Sequence, residues 1–306
     1  MIQSPVPLPY LPYTHFLRKH FPHQMQKLPV DAGCSCPVRD GSKGRGGCAF
    51  CNAVSFAPPC SKKSTDIVKQ LEAGKRFFAH KKKTTEEIGF LAYFQSGTNT
   101  YPPIEQMRPL IEAALTVKKV EGVVLATRPD CLTDSWINYF KELKRNTFVM
   151  IELGVESVNE DVLKQMGRGH TLSDTEKAVA RLKQIDIPIC AHLIIGLPGE
   201  AEEAPIHQAE CMNKLGVDVV KLHQLQILKG SRLATLYELH PEQVNTLTLE
   251  EYCQKAAAFV STLHPNIAIE RFVSQSPANQ LIAPKWGVKN DAVTRAILQE
   301  LEKKQD

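Results

Sequence analysis

Short apolar runs of strand length alternate with amphipathic helical stretches along most of the 306-residue chain, and this alternation limits the fold more than any other feature. The runs fall at 89–94, 122–126, 148–153, 187–197 and 217–222. Helical patterns lie at 64–78, 103–117, 133–144, 160–166, 173–184 and 200–215, some opening with capping signals such as Ser64 or the Pro102-Pro103 pair. Strands separated by one helix each pair in parallel through right-handed crossovers. The expected fold is therefore α/β, closing toward a barrel or half-barrel, with its chemistry at the carboxyl ends of the strands. The polar residues that stand out fall at those ends: Gln95, Thr127 to Asp130, Glu156, Gly196 to Glu200, and His223.

From about residue 241 the pattern changes to a helix over 249–264, a strand-like run at 267–273, an irregular stretch and a charged terminal helix. The expected organisation is an N-terminal extension over 1–26, a barrel over 27–240, and a small α+β extension over 241–306 packed on the barrel. An apolar content of 43% suffices for a substantial core. No run approaches the roughly 18 apolar residues of a membrane span, and the first residues lack a signal-peptide pattern, so a soluble, cytoplasmic protein with no membrane partner is expected. The formal charge of +4 permits a polyanionic partner without requiring one. Lysine runs at 62–63 and 81–83 and the basic stretch 141–145 read as solvated faces.

Nine cysteines, odd in number, suit a reducing compartment rather than a disulfide framework. Five of them, Cys34, Cys36, Cys48, Cys51 and Cys60, lie within 27 residues. Thiolates are soft ligands, and several on one short loop select zinc or an iron–sulfur cluster. Cys48 and Cys51 form a Cys-x-x-Cys pair, and Cys36 precedes it across a loop with four glycines that can wrap a bulky inorganic core. Arg39, Lys43 and Arg45 outweigh Asp40 there, a balance that favours thiolates. A closed four-thiolate zinc site from Cys34, Cys36, Cys48 and Cys51 fits the same residues.

Resemblance adds to this reading. The loop from Cys34 to Asn52, with an aromatic at Phe50 before the last cysteine, resembles the cluster loop of a bacterial radical S-adenosylmethionine (SAM) family of YhcC/YtqA type. Ala92-Tyr-Phe-Gln95, Ala126 to Cys131, Glu152-Leu-Gly-Val-Glu-Ser157, Arg168-Gly-His170, His192 to Glu200 and Lys221 to Ser231 match in order, over roughly residues 27 to 290. The resemblance implies a partial (β/α)6-type TIM barrel. It implies a [4Fe–4S] cluster on Cys36, Cys48 and Cys51, with SAM chelating the open iron and being cleaved to a 5′-deoxyadenosyl radical after electron delivery from a donor such as flavodoxin or ferredoxin. Cysteine-ligated clusters reach potentials toward about −700 mV, which suits so demanding a reduction.

By the same resemblance Glu156, with Glu152 on the same strand face, would meet the ribose, and Arg168 the methionine carboxylate. Gly196 in Gly-Leu-Pro-Gly199 would let backbone pass close to adenine. The Gly-Gly-Glu motif that holds the methionine amino group in much of the superfamily is absent; Phe94-Gln95-Ser96 stands in its place, with Gln95 the candidate. His223, Lys229 and Arg128 are expected at the substrate mouth, and Cys34, Cys60 and Cys131 are further thiols that either pack or serve the site. The motif order is also similar to the radical-SAM domain of the Elongator catalytic subunit. That implies action on tRNA, at the C5 side chain of a wobble uridine. Two other readings remain: a radical SAM enzyme for a small metabolite or coenzyme precursor, and a non-enzymatic, zinc-stabilised RNA-binding protein. A basic path from the mouth through Arg271, Lys285 and Lys289 favours RNA; a small closed pocket favours a metabolite.

Overall fold

A computed structural model of the chain describes residues 8–52, 64–81 and 88–303. The strands, in chain order, are β1 Leu11–Pro12, β2 Gln24–Val30, β3 Ile88–Phe94, β4 Val120–Thr127, β5 Phe148–Glu156, β6 Ile189–Ile195, β7 Val219–Gln224, β8 Ile227–Leu228, β9 Ala268–Arg271 and β10 Leu281–Ala283. The helices are α1 Tyr13–Arg18, α2 Ile67–Lys81, α3 Ile104–Leu115, α4 Asp134–Leu143, α5 Glu160–Gln165, α6 Leu172–Gln184, α7 Ala204–Leu215, α8 Arg232–Leu239, α9 Leu249–Thr262 and α10 Asn290–Lys303. Eight strands form one sheet in the order β1-β9-β7-β6-β5-β4-β3-β2, every pair parallel. A short β8–β10 antiparallel ribbon stands apart. Lys27 of edge strand β2 forms an ion pair with Glu270 of β9 across the sheet, so the sheet curls on itself as a partial barrel.

The expected strands appear as β3 to β7, and 267–273 yields β9. β2 lies across residues 26–27, where the sequence reading puts the start of the barrel. Its Gln26, Lys27 and Pro29 interrupt any apolar run, and its place at the sheet edge tolerates a proline. β9 belongs to the main sheet, between β1 and β7, although it comes from the C-terminal extension. Helix starts follow local chemistry. Thr171 with Asp174 and Thr248 with Glu251 make reciprocal capping boxes. Asp66, rather than Ser64, accepts from the Lys69 amide at the start of α2. α7 starts at Ala204, because the preceding residues form a turn in which Glu200 is drawn inward to Ser157 and Gln208.

Strand side chains alternate between two cores. Leu28, Phe94, Leu125, Ile151, Leu193 and Leu222 face the helices and join the main core with Trp136, Tyr252 and Phe259. Leu91, Val124, Met150, Cys190, Val219 and Ala268 face the barrel interior, where Phe16, Leu17 and Phe21 of α1 and its following turn plug the base. With both faces covered, the strands read as near-continuous apolar runs.

Candidate functional site

The barrel interior is layered from base to mouth. Above the apolar plug comes an ionic layer. Lys27 is ion-paired with Glu152 and, at 2.5 Å, with Glu270; Lys221 lies 2.8 Å from Glu152 and 3.1 Å from Glu270. His192 Nε2 is 2.7 Å from Glu152 Oε2. Two ammonium groups thus face two carboxylates, and both lysines also lie over the Tyr93 ring. Burial pushes Glu152 upward, but Lys221 and Lys27 outweigh it and hold the carboxyl well below its usual range. Glu152, Cys190 and His192 bring ligand atoms within 4.8 Å of one another. With Glu152 taken by two lysines and the Cys190 thiol pushed well above its usual value, chiefly by burial, this trio is suited to a closed charge network rather than a cation.

Above that layer opens a cavity of about 380 Å³ whose wall includes Cys36, Cys48 and Cys51. The cysteine loop leaves the end of β2, where the buried Gln70 of α2 exchanges hydrogen bonds with the Asp31 backbone. It turns at Cys36, whose carbonyl accepts from the amides of Arg39 and Asp40. Gly46 and Gly47 have φ of +81° and +79°, the left-handed region that permits the wrap. Ala49, inside Cys-x-x-Cys, donates to Met166 O after α5 and accepts from Leu233 N of α8, so two helices fix the pair from below.

The thiol geometry bears on which group fits. Ligands of one tetrahedral zinc ion, each about 2.3 Å from it, stand about 3.8 Å apart. Among the described residues, no three thiols of Cys34, Cys36, Cys48 and Cys51 lie mutually within 4.8 Å, so they do not stand as a closed zinc set. Cations surround the thiols: Arg168 Nη1 is 3.2 Å from Cys48 Sγ, and Arg39 Nη2 is 3.8 Å from Cys51 Sγ. Burial pushes the Cys51 thiol up to about 11 while Arg39 and Arg168 pull it down, so metal binding must complete the deprotonation. The residues present fit a [4Fe–4S] cluster.

Models of two families match the chain: that of the radical SAM superfamily over residues 41–210, and that of the Radical_SAM C-terminal domain over 217–303. The chain belongs to the radical SAM superfamily. YtqA of Bacillus subtilis is 32% identical over 293 residues, 96% of this chain and 89% of that protein. The tRNA uridine(34) acetyltransferase of Methanocaldococcus infernus is 26% identical over 187 residues, 60% of this chain and 33% of that protein. Among solved structures, the archaeal Methanocaldococcus infernus Elp3 with an N-terminal deletion superposes with a TM-score of 0.70 at 19% identity, covering 92% of this chain and 64% of that one. The fold is the partial barrel of this superfamily, whose members use a [4Fe–4S] cluster and SAM.

The same cavity collects most of the remaining expected residues. Gln95, Arg128, Glu152, Glu156, Arg168 and His223 line it; Gly196 and Lys229 do not. Glu156 ends β5 at a register shift with φ of +70°, a strained conformation for a non-glycine residue, and its carboxylate lies 3.7 Å from Arg168. Arg168 also donates to Gly154 O, and its Nε has no partner among the described residues. Gly154 keeps this corner open, since a Cβ there would stand 2.8 Å from Glu156 Oε1. Glu152 forms the cavity floor with both oxygens committed to Lys27, Lys221 and His192, so it is unavailable for the ribose contact expected of it.

Gly196 has φ of +93°, which itself favours glycine, and a Cβ there would stand 2.9 Å from a Leu247 methyl carbon; together these account for the glycine without a ligand. Lys229 is exposed on the turn after β8, where its backbone bonds to Asn52 and Gln280. Arg128 is pinned by Asp130, which also takes Lys43 of the cysteine loop. Gln95 stands beside Ser96, whose hydroxyl is buried without a partner among the described residues, in the place of the missing motif. The Gln95–Thr98 segment meets the cysteine loop so closely that a Cβ on Gly97 would lie 2.1 Å from Cys34 O. Cys34 packs on Met107, Cys131 is buried outside the cavity wall, and Cys60 lies outside the described residues.

Sequence reasoning missed Tyr93 and Thr98 in the cavity wall, and the ionic partners Lys27, Lys221 and Glu270 below it. A usable signal existed for Lys221, a charge inside the apolar run of β7, where an ion persists only if paired; Lys27 lies in a strand with no such run. In the sequence His170 stands out only as part of the Arg168-Gly-His170 motif. It is buried with both ring nitrogens unpartnered among the described residues, and burial with Arg168 and Arg128 pushes its pKa down to about 2.

Proposed function

We propose that this radical SAM enzyme modifies tRNA, acting on a carboxymethyl-type or aminomethyl-type C5 substituent of the wobble uridine, with an electron donor such as flavodoxin or ferredoxin. The observation that carries the reading is one continuous cavity reaching from Cys36, Cys48 and Cys51, past Glu156 and Arg168, to a far wall formed by His192, His223 and Arg271. Cluster ligands and cofactor contacts occupy the first part, leaving the far wall for substrate. When bound, the cluster and SAM supply one-electron cleavage of a sulfonium bond and hydrogen abstraction from substrate.

The chain's own residues position and shield. Arg168 bridges the Cys48 sulfur and the Glu156 carboxylate, and so can hold an anionic cofactor group beside the cysteines. The plugged base and ionic layer close the other end against water. Support for RNA comes from the tRNA uridine(34) acetyltransferase relative, and from the position of Arg271. That residue borders both the cavity and a second cleft lined by Asn290, Asp291 and Thr294, beside the exposed Lys289. The test is anaerobic incubation of reconstituted enzyme, SAM and reductant with tRNA from cells lacking the gene, followed by mass spectrometry of nucleosides. A mass change confined to a wobble uridine is expected. Unchanged tRNA, with cofactor cleavage stimulated instead by a small metabolite, would overturn the reading.

A further inference from the structure

The arginines of the cavity wall differ in their partners. On the cluster side each faces an anion or a group that becomes one: Arg128 binds Asp130 through two nitrogens, Arg168 meets Glu156 and the Cys48 sulfur, and Arg39 meets the Cys51 sulfur. Arg271 does not. It closes β9, where a register shift between Val220 and Lys221 sets it level with Lys221. Its Nη2 lies 3.0 Å from His223 Nε2, and among the described residues no carboxylate comes within 4.0 Å of its guanidinium. The acids nearest in sequence or space are otherwise placed: Glu270 takes Lys27 and Lys221, while Asp291 borders the adjoining cleft without pairing with it.

His223 cannot neutralise Arg271, and it does not add a second charge. Burial, with Arg271 and His192 beside it, holds the imidazole pKa well below its ordinary value, so the ring is neutral at physiological pH. A neutral ring that accepts the arginine N–H on Nε2 carries its own proton on Nδ1. Nδ1 lies 3.5 Å from the same Nη2, so the pair presents one permanent positive charge held by a neutral imidazole. The ionic layer beneath balances two ammonium groups against two carboxylates, so it leaves that charge uncompensated.

We propose that Arg271 and His223 form an oxyanion subsite that holds a singly charged carboxylate or phosphodiester group of the substrate in the cavity. This rests on the reading of the cavity's far wall as the substrate's place, and it names the chemistry that wall selects. A guanidinium hydrogen-bonded to an oxyanion is among the stronger polar contacts available.

The test uses reconstituted holoenzyme with SAM and isotopically labelled histidine, following the His223 ring by NMR as acetate, dimethyl phosphate or neutral acetamide is added. A saturable shift with acetate or dimethyl phosphate, and none with acetamide, is expected, and the anion that saturates identifies the group. Arg271→Gln should weaken that binding by about tenfold or more, the loss of one charge-assisted hydrogen bond, whereas Arg271→Lys should retain most of it. Equal shifts with acetamide, no shift with either anion, or unchanged binding in Arg271→Gln would overturn the proposal. If Arg271→Gln fails to fold, the comparison of anions with acetamide in the unaltered protein still decides. The readout is small-anion binding, so it stands or falls separately from the identity of the macromolecular substrate.

Discussion

Two adjacent layers of one barrel treat charge in opposite ways. In the ionic layer Lys27, Lys221, Glu152 and Glu270 satisfy one another. In the cavity wall above, Arg168 Nε, Arg128 Nη1 and Ser96 Oγ are buried without partners among the described residues. Buried polar atoms left unpaired are costly, and three in one cavity wall mark a place where partners are expected. The lower layer joins the two edge regions of the barrel; the upper one leaves polar atoms free for the cofactors we propose there.

That contrast can be broken at its strongest point. Lys221→Met leaves two buried carboxylates facing Lys27 alone, and should destabilise the protein by about 3–5 kcal/mol. Combining it with Glu152→Leu restores a one-to-one pairing of Lys27 with Glu270 and should recover a substantial part of that loss, measured by urea unfolding. A Lys221→Met protein as stable as the parent would show the layer to be dispensable.

The cavity wall should respond in function more than in stability. Arg168→Gln removes the guanidinium beside Cys48 Sγ. By the scale of other ligand-supporting contacts, it should weaken cluster retention or SAM binding by about 10- to 100-fold. Unfolding of the cofactor-free protein should lose about 1–3 kcal/mol from the Glu156 and Gly154 contacts, less than Lys221→Met loses. A large stability loss with unchanged cofactor binding would reverse the assignment of the two layers.

Glu200 gives a smaller, pH-resolved test, because its partners Ser157 and Gln208 are neutral. Burial raises its carboxyl from 4.5 to about 6. The folded state therefore holds the proton more tightly than the unfolded chain; the resulting stabilisation is fully present below pH 4.5 and is lost as pH rises through 6. Glu200→Gln should gain about 2 kcal/mol on the parent between pH 4 and pH 7.5. A pH-independent difference would mean that Glu200 is ionised without penalty.

Much of this molecule is legible in its sequence, and the losses are specific. β3 to β7 announce themselves because strands covered on both faces are apolar throughout. β2 is hidden by Lys27, whose charge makes sense only beside Glu152 and Glu270, more than a hundred residues away in sequence. β9 is visible as a strand, but nothing local says that it inserts between β1 and β7. The cluster cysteines are legible because their ligand chemistry is encoded within one loop. Glu152, Gly196 and Lys229 illustrate the limit: strand ends and motif positions bring them near the site, while the side chains they meet, Lys221, Leu247 and open solvent, come from elements that periodicity cannot pair.

The central claim is that Cys36, Cys48 and Cys51 hold a cluster that cleaves SAM. The most direct measurement is anaerobic reconstitution with iron and sulfide, then dithionite reduction with SAM and chromatography for 5′-deoxyadenosine, comparing the parent with Cys48→Ala. The expected result is about four irons per chain and 5′-deoxyadenosine formation in the parent, with both lost in Cys48→Ala. Tightly bound zinc, no cluster and no cleavage in the parent would contradict it.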